Sequence, residues 1–303
     1  MTLINSTWAY MTHPKRIIYD LIAKYGSDKL YLKFWFHTCM GYWMDFDNPK
    51  TFNEKLQWLK LYNRKAEYTT MVDKYSVKNY VAEIIGDEYI IPTIGVWNTF
   101  DEIDFDSLPN QFVLKCTHDS GGLVICKNKK QLNKEKARIK IENSLRTDFY
   151  MKGREWPYKN VPRRIIAEKY MEDKETGELR DYKFFCFDGE VKAMFIATER
   201  QNKNDVTRFD FFDRFFNHID CVNGHPMADV PPAKPKNYEL MIKLAEQLSK
   251  NMPHVRVDFF EANGHVYFGE LTFFHQSGAI PMNPFEVDEL FGSWLKLPNQ
   301  KTV

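Results

Sequence analysis

The sequence predicts an α+β fold, and three observations carry that prediction. Apolar residues recur at helical spacing through most of the first hundred positions. After residue 110 the rhythm changes to β-rich runs broken by short turns. The clearest of these runs come as hairpins, which makes the sheet mostly antiparallel.

Taken in order, residues 15–25 (KRIIYDLIAKY) read as a helix that stops at Gly26. Thr51 caps a helix whose fourth residue on is Lys55 rather than Glu, with Asn53 and Glu54 favouring its positive end. Phe52, Leu56 and Leu59 mark the buried stripe of that helix. A second helix, 72–85, groups Val77, Val81 and Ile84 and ends at Gly86. A short strand and turn follow at 89–97, broken by Pro92. FVLKCT (112–117) and LVICKN (123–128) are strands joined by Asp119-Ser120-Gly121-Gly122. A charged helix covers 133–147, a strand 164–171, and a hairpin around Asp188-Gly189 covers 181–200. A helix at 237–251 precedes the strand pair 253–274, and helical residues at 286–296 close the fold.

Composition sets the outer limits. The chain has 303 residues with 44% apolar content, enough for a sizeable core and too apolar for global disorder. Lys and Arg number 42 against 41 Asp and Glu, which argues against a polycationic nucleic-acid binder. Five scattered cysteines without a CxxC pair argue against a disulfide framework and a structural zinc site. No apolar run reaches membrane-spanning length, and the first residues lack a signal-peptide pattern. A cytoplasmic, reducing location is the expectation.

The most informative stretch is the strand pair PHVRVDFFEANGHVYFGELTFF (253–274). Arg256, Asp258, Glu270 and Thr272 interrupt an apolar, aromatic hairpin. A two-residue Asn263-Gly264 turn pairs Asp258 with Gly269 and sends Glu270 to the opposite face. A three-residue loop, or a bulge, sets Asp258 opposite Glu270 and Arg256 opposite Thr272. Two facing carboxylates need a cation between them, and oxygen ligands of this kind suit Mg²⁺ held against phosphates. The competing reading is a surface hairpin with scattered charges.

Weaker signals surround it. Glycines in the 119–122 turn let backbone N–H groups approach an anion, with Lys115 just before them, yet neither GxxxxGK[ST] nor GxGxxG is spelled there. Lys183, in Asp181-Tyr182-Lys183, reads equally as a solvated edge charge. Ala167-Glu168-Lys169-Tyr170-Met171 ends a strand and suits the wall of a nucleotide pocket. His118 and His275 fall in candidate site loops, but no HExxH, HxH or GxSxG pattern occurs.

Read in order, these pieces resemble the ATP-grasp enzymes. The strand pair RVDF…YFGEL (256–271) is similar to the metal-binding strands of D-alanine–D-alanine ligases. TFNEKLQWLK (51–60), Asp73-Lys74 and VLKCTHDSGG (113–122) bring the chain closer to the teichuronopeptide-biosynthesis (TupA-like) ATP-grasp family, over roughly residues 30–297. The resemblance implies two α+β lobes gripping ATP behind a mainly helical region: residues 1–110 helical, 111–172 a flap lobe, 173–303 a metal-binding, catalytic lobe. It implies that Lys115 and Lys183 hold the ATP phosphates under a flap of Ser120, Gly121 and Gly122. By the same resemblance Glu168, Lys169, Tyr170 and Met171 would flank adenine, with Asp173 a candidate for the ribose. The resemblance further implies that Asp258 and Glu270 bind Mg²⁺, with Thr272 where many relatives carry Asn, and that Arg256 steadies a tetrahedral intermediate.

The implied activity is ATP-dependent joining of a carboxylate to an amine through an acyl phosphate. The implied acid is a sugar acid or glycan precursor in cell-surface, capsular polysaccharide assembly, with no nucleic acid as partner. Acceptor loops are expected at 275–278 and 200–235, and Trp43, Trp58, Trp156 and Tyr158 suit sugar stacking. Two other readings stand beside it. One is a transferase, either a glycan kinase or a glycosyltransferase using Asp104-Phe105-Asp106; the other is a non-catalytic scaffold.

Overall fold

Thr51 starts the helix that ties the two ends of the chain together. Its hydroxyl accepts the Glu54 N–H at 3.3 Å while the Glu54 carboxylate accepts the Thr51 N–H at 3.1 Å. This is a closed capping box. The acidic partner is therefore Glu54, three residues on, and not the position taken by Lys55. Lys55 instead donates from Nζ to the Gly292 and Leu295 carbonyls, each at 2.8 Å, and so closes the end of the last helix.

The computed structural model describes residues 21–175, 177, 179–199 and 206–299. The first part of the expected 15–25 helix and residues 200–205 of the expected acceptor loop lie outside the described residues. In chain order the helices are α1 (Asp28–Met40), α2 (Phe52–Tyr62), α3 (Glu67–Val72), α4 (Val77–Ile85), α5 (Lys134–Arg146), the single turn α6 (Tyr150–Gly153), α7 (Tyr238–Leu248) and α8 (Phe285–Trp294). The strands are β1 (Thr93–Trp97), β2 (Phe112–Cys116), β3 (Leu123–Cys126), β4 (Ile165–Lys169), β5 (Asp181–Phe187), β6 (Glu190–Thr198), β7 (Arg208–Asp213), β8 (His218–Ile219), β9 (His254–Ala262) and β10 (His265–Thr272). The expected helix over 72–85 begins only at Val77, after α3 has ended at Val72, and α4 buries Val77, Val81 and Ile85 while Ile84 faces outward. Strands β7 and β8 fall where only a loop was expected.

Both sheets are antiparallel throughout. The smaller has strand order β1-β4-β2-β3, and the larger β10-β9-β5-β6-β7-β8. The smaller sheet thus reaches back to β1, a strand inside the region read as helical. Its core, Phe112, Leu114, Ile141, Ile165 and Ala167 among others, is separate from the main one. The main core joins α2 and α4 to β5, β6 and β9 and to α7 and α8. Phe52 meets Phe185, Phe187 and Phe291 edge-on, with centroids 5.8–6.0 Å apart. Each such fully buried ring stabilises by about 1.5–3 kcal/mol, so α2 packs as part of the core of the larger sheet. The Asp104-Phe105-Asp106 segment is local structure: Asp104 Oδ1 accepts the Asp106 N–H at 3.0 Å and Phe105 enters the smaller core.

Candidate active site

Turn chemistry and one extra residue build the centre of the site. Asn263 and Gly264 both have positive φ (54° and 77°), giving the two-residue turn that pairs Ala262 with His265. Continued without interruption, that register opposes Asp258 to Gly269. The register shifts between Phe268 and Glu270, however, so Gly269 is a bulge and Glu270 stands opposite Asp258, with Thr272 opposite Arg256. On the other side of β9, Lys183 of β5 stands opposite Asp258. Three adjacent strands thereby align Lys183, Asp258 and Glu270 in one row.

A Cβ added at Gly269 falls 3.0 Å from the Asp258 carbonyl oxygen and 3.1 Å from the Phe260 ring. Gly269→Val is therefore expected to force the two strands apart and destabilise the fold by about 1–3 kcal/mol, read in urea melts. Wild-type stability in that variant would show that the bulge tolerates a side chain.

The reading of a surface hairpin does not survive: Arg256, Asp258 and Lys183 are 7%, 1% and 7% exposed. Lys183 lies on a strand between β9 and β6, forms an ion pair with Asp258 and lies 3.3 Å from Asp181. Arg256 grips Asp258 through Nε and Nη2, both at 2.7 Å, and Nη2 also reaches Glu270 Oε1 at 3.2 Å and Thr272 Oγ1 at 3.0 Å. Glu270 lines the cavity with 43% of its side-chain surface open, while the rest of the side chain is withdrawn from water. That withdrawal alone raises a carboxyl, but Lys183, Arg256 and Lys74 outweigh it and hold Glu270 at about 2.

The smaller sheet supplies the opposite wall. Lys115 on β2 and Lys78 on α4 each approach Glu168 within 2.5 Å, one at each carboxylate oxygen. Burial pushes this carboxyl up, yet the two ammonium groups pull it down to about 2. In the 119–122 turn, the Asp119 carbonyl accepts from the Lys74 ammonium, and its carboxylate accepts the Gly122 N–H and the Ser144 hydroxyl. A side chain at Gly122 would meet Cys116 Sγ at 2.6 Å, so glycine is required there.

Between the walls lies a cavity of about 320 Å³. Lys115, Ser120, Gly122, Glu168, Lys169, Tyr170, Met171, Lys183, Asp258 and Glu270 all line it. Gly121, Asp173, Arg256 and Thr272 do not. Arg256 and Thr272 stand behind the carboxylates that they contact. The Asp173 carboxylate accepts the Asn263 N–H at 2.7 Å and the Glu175 N–H at 3.0 Å, so it anchors the β9–β10 turn. Lys74, Lys78 and Asp181 line the cavity without having been singled out from sequence. For Lys74 the Asp73-Lys74 pair carried a faint signal, whereas Lys78 had none beyond its spacing from Lys74.

The other candidates sort cleanly. His118 is 2% exposed, its ring facing the Thr147 carbonyl at 3.3 Å, outside the cavity. His275 is equally buried, and burial together with Arg256 keeps it well below the ordinary histidine range, hence neutral. Trp58 is core, and Trp43 is half exposed with its ring stacked on His37.

Two antiparallel sheets closing on a cavity rimmed by lysines and paired carboxylates form the arrangement of an ATP-grasp protein. The chain belongs to the TupA-like ATP-grasp family, whose sequence model matches residues 54–296. Among solved structures, the D-alanine–D-alanine ligase of Helicobacter pylori is similar at 14% identity, covering 82% of this chain and 69% of that one, with TM-score 0.42. The Bacillus anthracis D-alanine–D-alanine ligase matches at 16% identity over 67% of this chain and 57% of that one, TM-score 0.39. The ATP-grasp ligase PsnB, solved with a minimal precursor, Mg and ADP, matches at 9% identity over 80% and 66%, TM-score 0.40. The chain thus spans a little over half the length of the Bacillus anthracis enzyme. No curated protein sequence matches it.

Proposed function

We propose that this chain is an ATP- and Mg²⁺-dependent ligase that joins a carboxylate to an amine. The observation that carries this reading is the row Lys183–Asp258–Glu270 facing Lys115 and Lys74 across one cavity. Lys115, Lys74 and Lys183 offer ammonium groups to a polyphosphate, with Ser120 and Gly122 of the turn beside it. The strand end Glu168–Met171 and the apolar Ile91, Leu179 and Phe268 suit a flat base, with Asp173 left out of the ligand set.

The donor set fits magnesium. Asp258 and Glu270 present only oxygen, Glu270 is open to the cavity, and Mg²⁺ is commonly held by one or two carboxylates plus phosphate oxygens. Among the described residues no three His, Cys, Asp or Glu side chains gather to enclose a metal, so such an ion relies on ligands from outside the chain. Bound there, the ion supplies neutralisation of phosphate charge. Thr272 donates its hydroxyl to Glu270 at 3.2 Å and orients that carboxylate; it does not point into the cavity.

A carboxylate resists attack by an amine until one oxygen becomes a good leaving group. Phosphoryl transfer to it accomplishes this, with the lysines steadying charge on the moving group. Arg256, buried and locked behind the carboxylate pair, adds a fixed positive charge close to the cavity that steadies the oxyanion of the second step without touching it. A sugar acid or glycan precursor of capsular polysaccharide is the proposed acid, supported by the family's resemblance to teichuronopeptide biosynthesis. A cytoplasmic location accords with this reading; among the described residues no helix is long and apolar enough to cross a membrane.

The test is direct. Mg²⁺ with ATP is expected to raise the melting temperature of the purified chain more than either alone and more than UDP-sugars. A larger shift with UDP-sugars would favour a glycosyltransferase. Acids and amines are then screened for stimulated ADP release. An amide with free phosphate supports the ligase, and a phosphorylated sugar without free phosphate replaces it with a kinase.

A further inference from the structure

Helix α2 buries polar side chains that a supporting helix has no ordinary reason to bury. Asn53, Gln57 and Lys60 are 2%, 0% and 0% exposed. Asn53 binds Asp288 through both its backbone and its side chain, at 2.9 and 3.0 Å, which docks α8. The other two reach a different target. Lys60 spends its three protons on the Ser277 carbonyl (2.8 Å), the Ser277 hydroxyl (3.0 Å) and Gln57 Oε1 (3.0 Å). Gln57 Nε2 donates to the Gly278 carbonyl at 2.6 Å and the Ser277 carbonyl at 3.1 Å.

The segment they grip is strained. Gln276, Ser277 and Gly278 have φ of 48°, 55° and 60° in succession. Left-handed backbone costs a non-glycine residue on the order of 1 kcal/mol or more, so two in a row persist only where surrounding contacts impose them. This turn follows His275, the residue that meets Arg256. Arg256 Nη1 lies 2.7 Å from His275 Nδ1, and arginine can only donate, so Nδ1 accepts and carries no proton. The proton is then on Nε2, which donates to Asn223 Oδ1 at 2.8 Å. Asn223 in turn donates to the Ile280 and Pro281 carbonyls at 3.0 and 3.2 Å. Every atom of this relay has one role left to it.

We infer that the polar stripe of α2 and the left-handed turn it holds are a positioning device for Arg256, acting through His275 and Asn223. The inference rests on the reading of Arg256 as the group that steadies charge during ligation. The carboxylates hold one edge of the guanidinium, and His275 holds the other. Without the imidazole the Nη1 end loses its acceptor and tilts away from the plane that the Asp258 fork sets, and a misplacement near 1 Å costs about 100-fold in rate. His275, Gln57 and Lys60 are thus positioning residues that touch no substrate.

The full chain, labelled with ¹⁵N in arginine and histidine, tests this by NMR. In the wild type His275 is expected to show a bare Nδ1 and a protonated Nε2. Arg256, assigned by its loss in Arg256→Lys, is expected to show resolved, slowly rotating Nη groups. His275→Phe should average those lines, while His275→Asn, whose Oδ1 takes the Nδ1 place, should keep them resolved. Lys60→Met should average them through the released turn. Unchanged lines in His275→Phe, or averaged lines in both His275 variants, would overturn the relay. Unchanged lines in Lys60→Met would remove α2 from it. A parallel titration uses Mg²⁺ with a non-hydrolysable ATP analogue: no binding to a wild type whose Arg256 lines are resolved would sink the nucleotide reading and leave the relay standing. With an acid that stimulates ADP release, His275→Phe is expected to turn over about 100-fold more slowly at unchanged analogue affinity. Equal turnover would refute positioning.

Discussion

Replacing Glu270 with glutamine is expected to lower ATP-dependent turnover on the order of 1,000-fold, with a smaller loss of stability than Asp258→Asn because 43% of its side-chain surface stays open. The two effects separate because of where this carboxylate stands. It faces the cavity with 43% of its side-chain surface open, and its hydrogen bonds to Arg256 and Thr272 are both 3.2 Å, which an amide oxygen can reproduce. What the amide lacks is the charge that a cation and a row of lysines require. Asp258→Asn is the contrasting case. Asp258 is 1% exposed and shared between Arg256 and Lys183, so neutralising it strands two buried cations. Breaking such a pair from one side costs about 3–5 kcal/mol, so this variant should lose both activity and stability. ADP release and urea melts on the two proteins decide the matter. Full turnover in Glu270→Gln would remove it from the proposed metal site.

The second large effect belongs to Glu168. Glu168→Gln is expected to destabilise the chain by about 3 kcal/mol near neutral pH, since a folded value near 2 against an ordinary 4.5 corresponds to that energy. The sign follows from the direction of the shift. The carboxyl is depressed in the fold, so its contribution is complete above pH 4.5 and drains away as pH falls toward 2. Wild type and variant should therefore differ most above pH 5 and converge in acid. Denaturant melts at several pH values measure it, and a gap that stays constant down to pH 2 would show that Glu168 is not the group responsible. Freed of its partner, Lys115 should also lose its fixed place in the cavity wall, giving weaker nucleotide binding as a secondary effect.

Much of the architecture was legible because it rests on local chemistry. The Asp188-Gly189 and Asn263-Gly264 turns adopt positive φ at both residues and close their hairpins on the two-residue register. Helices α5, α7 and α8 lie within a few residues of their expected bounds. Thr51-Phe52-Asn53-Glu54 spells the capping box in full, with Glu54 and not Lys55 as the acidic partner. Strand β7 spells RFDFFD, an aromatic run that signals a strand in the sequence itself, whereas β8 is only two residues long and exists through its pairing with β7. Ile84 and Ile85 could not be told apart by periodicity, because which side of α4 is buried depends on its neighbours.

The sequence by itself determined the antiparallel α+β plan, the hairpin turns and the types of residue available for chemistry, since these follow from dihedral preference and hydrophobic period. Tertiary structure alone decided the site. The bulge at Gly269 turned Glu270 to the face of Asp258, the 275–278 turn brought His275 to Arg256, and packing of the smaller sheet placed Lys115 beside Glu168 and Lys78. Side-chain direction along a strand reverses with a single added residue, and contacts between elements distant in the chain leave no trace in local spacing. Residue types can be read from a chain; their convergence is a property of its packing.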